Sequence, residues 1–323
     1  MKKRDVAIDI MKAIGIMSVI VGHLRTSPII SSVVYSYHMP LFFLVGGYFF
    51  RPKPNIRETA AKDFKRLVIP YLFTALVLSS AYVVKTLLGL EQDYHNALFF
   101  LKAIFWGCGS AGQTAIIKGH LTYVGPIWFL VALFWCRQFY NLLVCHTRRP
   151  KLYAAIVAVV ATFVHYYLVF IPLGISTGAS AMMFYLIGHW VREHSVGKYA
   201  VAVCVLCWIG GIAYSKVVMA RCCYGIYPID VLGACGATAV IYLISKGLSR
   251  TWLCSALSWV GVNTLVILCF HTMDLSFGIT QHLPLSGYYG IQFLYMLAFY
   301  LLITNLCYQT RLTRLIFGLV HNR

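Results

Sequence analysis

The chain has 323 residues, of which 60% are hydrophobic and only 11% charged, with a formal net charge of +18 and a mean hydropathy of +0.76. A soluble domain carries about 25% charged residues, so so much apolar surface cannot be covered in water and the chain reads as a polytopic, all-α membrane protein. The positive excess is not a nucleic-acid signature, because the Lys and Arg sit in short loops between apolar spans rather than in a basic strip interleaved with aromatics.

Spans need about 20 apolar residues. On that criterion ten helices are predicted, near 6–24, 33–50, 67–88, 126–144, 152–171, 179–191, 199–217, 226–245, 254–273 and 288–309, in one membrane domain covering 1–323. The start, MKKRD, is basic, but the apolar run holds Lys12 and no small-residue cleavage site follows His23, so the first segment is read as a span and not as a cleavable signal. With the N-terminus in the cytoplasm, nineteen Lys and Arg fall in inner segments and six in outer ones. That bias predicts both termini inside.

The first span, "DIMKAIGIMSVIVGHLR", holds Asp9, Lys12 and His23. A central charge costs roughly 2.5–3.5 kcal/mol on insertion scales, and intramembrane ionisable groups on one face mark function. Lys12 to His23 is eleven residues, three turns plus about 20°, so the two share a face about 16 Å apart along the axis. Asp9 lies close to the same stripe, one turn below Lys12. The bland alternative makes Asp9 and Lys12 snorkelling interface residues and His23 a boundary marker.

The second span brings "YSYHMPLFFLVGGYFF", with His38 before Pro40 and a Gly46–Gly47 pair that permits close helix contact. The inner loop "RPKPNIRETAAKDFKR" (51–66) is basic, and the outer loop 89–125 holds "HNALFFLKAIFWG", an apolar stretch of interfacial length. Trp128 in "GPIWFL" reads by default as an aromatic anchor at the interface. His271 ends the ninth span in "LCFHTMD". His165 and His189 read as packing or interface residues. Eleven cysteines fall almost wholly inside apolar spans, and the Cys204–Cys207 pair is mid-helix, so they read as small apolar filler. No set of His, Cys or carboxylates has metal-site spacing, and neither GxSxG nor a phosphate-binding glycine loop is present.

"DIMKAIGIMSVIVGH", "YHMPLFFLVGGY", "KRLVIPY", "GPIWFLVALF" and "WVGVNTLVILCFH", in this order and spacing, resemble the acyltransferase-3 family. These are bacterial membrane O-acyltransferases that acetylate envelope sugars, the fucose acetylase-like group among them. The resemblance runs from the first helix to about Leu302, and its most specific element is a basic residue, ten intervening positions and a histidine, met by Lys12 and His23. It implies that this pair is essential, that the donor is cytoplasmic acyl-CoA, and that Lys62, Lys65 and Arg66 assist the donor. One departure is that Gly46 stands where the family's second-helix pattern has serine. Another is that the basic residues before the third helix are the adjacent Lys65 and Arg66 rather than two spaced arginines.

O-acylation needs a base for the attacking hydroxyl, and histidine, with an unperturbed pKa near 6.5, suits that task. CoA phosphates need cations. The expectation is therefore an O-acetyltransferase with catalytic His23, Lys12 and Asp9. Lys62, Lys65 and Arg66 would meet acetyl-CoA, and His38, Trp128 and His271 the acceptor, an envelope glycan or lipid-linked sugar. The competing expectation is a polysaccharide or lipid-linked sugar exporter using the Asp9–Lys12–His23 ladder as a proton path. The absence of visible internal repeats leans against it.

Overall fold

The computed structural model describes residues 5–24, 27–88, 97–110, 122–168, 170–214, 217–284 and 287–319. The first helices are α1 (Val6–His23), α2 (Pro28–Tyr48), α3 (Ile56–Asp63), α4 (Ile69–Leu87), α5 (Ala97–Trp106), α6 (Trp128–His146) and α7 (Pro150–Tyr167). They are followed by α8 (Ile175–Glu193), α9 (Lys198–Tyr214), α10 (Tyr227–Leu248), α11 (Cys254–Val262), α12 (Thr264–Phe277), α13 (Tyr289–Gln309) and α14 (Arg311–Phe317). Among the described residues the only β pairing is an isolated bridge between Val218 and Cys223.

Three of the first helix starts carry their chemistry in the sequence. Asp5 caps α1 by accepting from the Ala7 amide at 3.0 Å, and Asn55 caps α3 from the Glu58 amide at 3.1 Å. Pro28 opens α2 behind a Ser27 cap. Such caps satisfy amides that helix geometry leaves without a carbonyl.

A helix stands at each of the ten positions expected from the sequence, but among the described residues seven helices are long and apolar enough to cross a membrane, or eight if α11 and α12 form one bent span. The two shortfalls have physical causes. The α9 helix has 17 residues. The α8 helix carries Ser176, Thr177, Ser180, His189, Arg192 and Glu193, which lower its hydropathy. Helix α5, the apolar stretch of the long loop, has 10 residues, a rise of about 15 Å and too short to span. It packs on α4, where Tyr71 donates to the Ile104 carbonyl at 2.7 Å.

Burial sorts the spans into an inner and an outer set. Within the protein 61% of α1 and 56% of α2 is buried, against 17% of α7 and 22% of α13. A peripheral span keeps its apolar face for lipid, so α1 and α2 form the centre. Glycines set the closest crossings there. The α2–α8 contact puts Gly47 on the Tyr185 carbonyl and Gly188 on the Leu44 carbonyl, and the α1–α11 contact puts Gly261 on the Asp9 carbonyl. In each case a Cβ would occupy the partner's backbone.

The ninth span is broken at Asn263, where α11 and α12 meet at 71°. A break in a membrane helix strands backbone polar groups, which is tolerated where they are satisfied or line a cavity. Asn263 donates to the Trp259 carbonyl at 2.9 Å and accepts from the Tyr308 hydroxyl at 2.8 Å, and the break itself faces a cavity.

Candidate functional site

Two cavities flank α1. The larger, about 820 Å³, is lined along α1 from Lys12 through Ile16 to Val19. Its other walls include Gly46, Lys62, Lys65, Arg66 and Arg137, with Met39, Phe129 and Leu130 supplying an apolar lining. The smaller, about 90 Å³, is lined by His23, Tyr35, His38, Ser110 and Trp128. Met39 borders both.

At the Lys12 end, the Lys12 ammonium lies 2.8 Å from the Asp9 carboxylate, with side-chain exposures of 25% and 9%. The amine is thus paired while still facing the large cavity. Lys65 and Arg66 sit on a π-helical turn, Phe64–Val68, between α3 and α4. Such turns are rare and frequent at functional sites. The residue just before it, buried Asp63, is tied to α6, accepting from Arg137 Nε at 2.9 Å and Gln138 Nε2 at 3.0 Å. That double tie fixes where the turn projects its cations. Lys62 makes a solvent-exposed pair with Glu58, which water and salt screen.

At the His23 end, three imidazoles each tie off one nitrogen. His23 Nδ1 lies 2.8 Å from the Val19 carbonyl, and His38 Nδ1 lies 2.6 Å from the Val34 carbonyl. A carbonyl only accepts, so in each neutral ring Nδ1 bears the proton and Nε2 is the acceptor. His271, fully buried on α12, meets the Tyr300 hydroxyl at 3.0 Å through Nδ1. Tyr300 also lies 2.7 Å from Asp274 Oδ2, and Asp274 accepts from the Thr280 amide and hydroxyl at 2.9 and 2.7 Å. The His23 and His271 rings make an edge contact, centroids 5.1 Å apart at 71°. Tyr35 stands edge-on to His38 at 4.9 Å.

Each residue singled out from the sequence therefore has a definite place. His23, His38 and Trp128 converge on the small cavity. Lys12, Lys62, Lys65 and Arg66 line the large one, and Asp9 pairs with Lys12. His271 touches His23 but lines neither cavity. Of the histidines read as packing residues, His165 bonds Ser176 and His189 bonds Tyr140, both away from the two cavities. Cys222 and Cys223 are free thiols, and burial pushes the Cys222 thiol up to about 12, so it is no nucleophile at neutral pH. Among the described residues no group of three or more His, Cys, Asp or Glu could hold a metal ion.

The family model described as an acyltransferase domain matches residues 5–308. The chain belongs to the acyltransferase-3 family. No curated protein and no solved structure matches it. The match covers every lining residue of the small cavity and most of those of the large one, and helices α1 to α13 to within one residue, so this is a multi-pass membrane acyltransferase. Where the acyltransferase-3 pattern has serine, Gly46 lines the large cavity, and a Cβ there would stand 2.9 Å from the buried Tyr185 ring. A serine at this position thus requires Tyr185 to move, and the hydroxyl is absent from the cavity wall.

Several residues of the site escaped the sequence reading. Arg137 and Asp63 sat in a span and in a basic loop, and only the α3–α6 packing joins them. Asp274 follows His271 by three positions, so their nearness was readable in "LCFHTMD", but the link between them runs through Tyr300. Tyr300 lies among apolar residues of α13 and gave no signal.

Proposed function

We propose that this acyltransferase moves an acyl group, acetyl by preference, from cytoplasmic acyl-CoA to a hydroxyl of a cell-envelope glycan or its lipid-linked precursor. The membrane is the bacterial inner membrane. The observation that carries the reading is the pair of cavities on α1, one large with a cationic wall, one small with histidines and a tryptophan, with Met39 common to both.

A donor with a phosphate-rich head and a long thin arm matches the large cavity. Lys62, Lys65, Arg66 and Arg137 face the phosphates, and the apolar wall receives the arm. Lys12, held by Asp9, contributes a fixed charge on that wall. The acceptor enters the small cavity, where Trp128 offers an aromatic face for a sugar and His38 a polar contact.

His23 is the general base. Its Nδ1 carries the proton that meets the Val19 carbonyl, so Nε2 is the nitrogen whose lone pair takes the proton from the attacking hydroxyl as the oxygen bonds to the thioester carbonyl carbon. The C–S bond then breaks, and the departing CoA thiolate takes the proton back from His23. Donor and acceptor approach from opposite ends of α1, so the design is transfer across the layer that Met39 occupies. Membership of an acyltransferase family favours this over the exporter with a proton ladder.

The test is direct. Purified protein in lipid, given acetyl-CoA labelled in the acetyl group and an envelope glycan extract, should label a glycan or lipid-linked sugar fraction. Label that stays on CoA or appears only as free acetate would overturn the proposal.

A further inference from the structure

The chain Asp274–Tyr300–His271 has more order than packing requires. A carboxylate only accepts, so the Tyr300 hydroxyl donates to Asp274 Oδ2, as the Thr280 amide and hydroxyl also donate to that carboxylate. The tyrosine oxygen is then left to accept, and the group it accepts from is His271 Nδ1. The neutral His271 ring is thereby locked with its proton on Nδ1 and a bare lone pair on Nε2. That Nε2 is buried and has no hydrogen-bond partner among the described residues.

A buried acceptor without a donor is costly and rare, and where it persists it calls for a reason. The imidazole packed edge-to-face on the His271 ring, centroids 5.1 Å apart, is His23, the group that becomes a cation in the proposed acyl transfer. Groups oriented before reaction toward the place where charge will appear need no reorganisation when it appears, and a dry surrounding strengthens them.

We propose that Asp274, Tyr300 and His271 form a buried chain that positions His23 and stabilises the imidazolium it becomes, His271 Nε2 being the acceptor that faces the new charge. The inference rests on His23 as the general base. None of the three residues lines either cavity, so they are positioning residues and not catalytic ones. No proton leaves the His23–acceptor–thiolate circuit. The negative Asp274, conveyed through two hydrogen bonds, offsets a positive charge that exists only during turnover.

Tyr300→Phe removes one oxygen and cuts the chain between its acid and its imidazole. Expected is a fall in kcat of about ten- to hundredfold, with KM for donor and acceptor within about twofold of wild type, since neither cavity is touched. Asp274→Asn should do the same. A purely structural role would instead lower protein yield and shift both constants together. Binding of CoA by calorimetry and a single elution peak in detergent certify the fold of each variant. Independently, nitrogen NMR of histidine-labelled protein should show His271 with Nδ1 protonated and Nε2 bare, and Tyr300→Phe should release that preference. Wild-type kcat in either folded variant, or a His271 protonated on Nε2 in the wild type, would overturn the chain while leaving acyl transfer intact. A wild-type protein that labels no acceptor would overturn the transferase reading, and the catalytic use of the chain with it.

Discussion

The two ends of α1 solve opposite problems on one helix. At Lys12 the cavity is large, about 820 Å³, and its charge is supplied by flexible amines and guanidiniums, most of them partly exposed. At His23 the cavity is about 90 Å³, and every imidazole has one nitrogen fixed by a neighbour. A region that holds a long polyanion tolerates looseness, because charge attraction falls off slowly with distance. A region that moves a proton does not, because transfer needs heavy atoms about 2.6–3.2 Å apart. The contrast teaches that binding and chemistry can be read apart here by how tightly each side chain is held.

The sharpest way to break that division is at the held end. If His23 is the general base proposed above, it is worth about 10²–10⁴ in rate. His23→Gln keeps the size and a hydrogen-bonding group but cannot take the proton, so the loss should fall on kcat with donor affinity nearly intact. If His23 only marks the membrane boundary, glutamine is tolerated and the variant turns over normally. A His23→Gln protein that inserts and acetylates at the wild-type rate ends the division.

Lys12 tests the boundary between the two regions. Removing one partner of a buried ion pair costs about 3–5 kcal/mol, and the quarter exposure of Lys12 discounts that to roughly 1–2 kcal/mol. Lys12→Ala should therefore weaken donor binding and lower thermal stability together, since Asp9 is left buried without this cation. Lys12→Arg should recover most of both. Thermal melting in detergent alongside the donor KM checks this, and a Lys12→Ala protein with a wild-type melting point and KM would make the pair a bystander.

The loose end was also the more legible one. Lys12, Lys62, Lys65 and Arg66 stand out as cations beside apolar runs, and the eleven-residue step to His23 follows from helix geometry alone. The helices themselves were readable for the same reason, as each span must satisfy its own backbone. The fixed end depends on contacts between residues far apart in the chain, such as His271 with Tyr300 and Asp63 with Arg137, and single-span periodicity carries no record of these. The broken ninth span was invisible too. Asn263 and Thr264 are two short polar residues inside an apolar run and mark no break by themselves, and the 71° bend is held by Tyr308 reaching Asn263 from another helix.

The smallest effect per residue is expected at the exposed cations of the large cavity. Lys62, Lys65 and Arg66 are exposed, and exposed charge pairs contribute about 0.2–1 kcal/mol each. Reversing all three to Glu replaces attraction by repulsion, so the donor KM should rise about ten- to hundredfold with kcat and acceptor KM held. Replacing both lysines by Arg keeps the charge and should change little. Screening gives a second reading of the same term: the wild-type donor KM should rise with salt, because the Debye length shrinks from about 10 Å at 0.1 M to 3 Å at 1 M, and the reversed variant should lose that slope. Steady-state kinetics at two ionic strengths measure both. A triple reversal with an unchanged donor KM and an unchanged salt slope would assign these cations to membrane topology alone, and would move the donor's phosphates to Arg137, the remaining guanidinium on the wall of the large cavity.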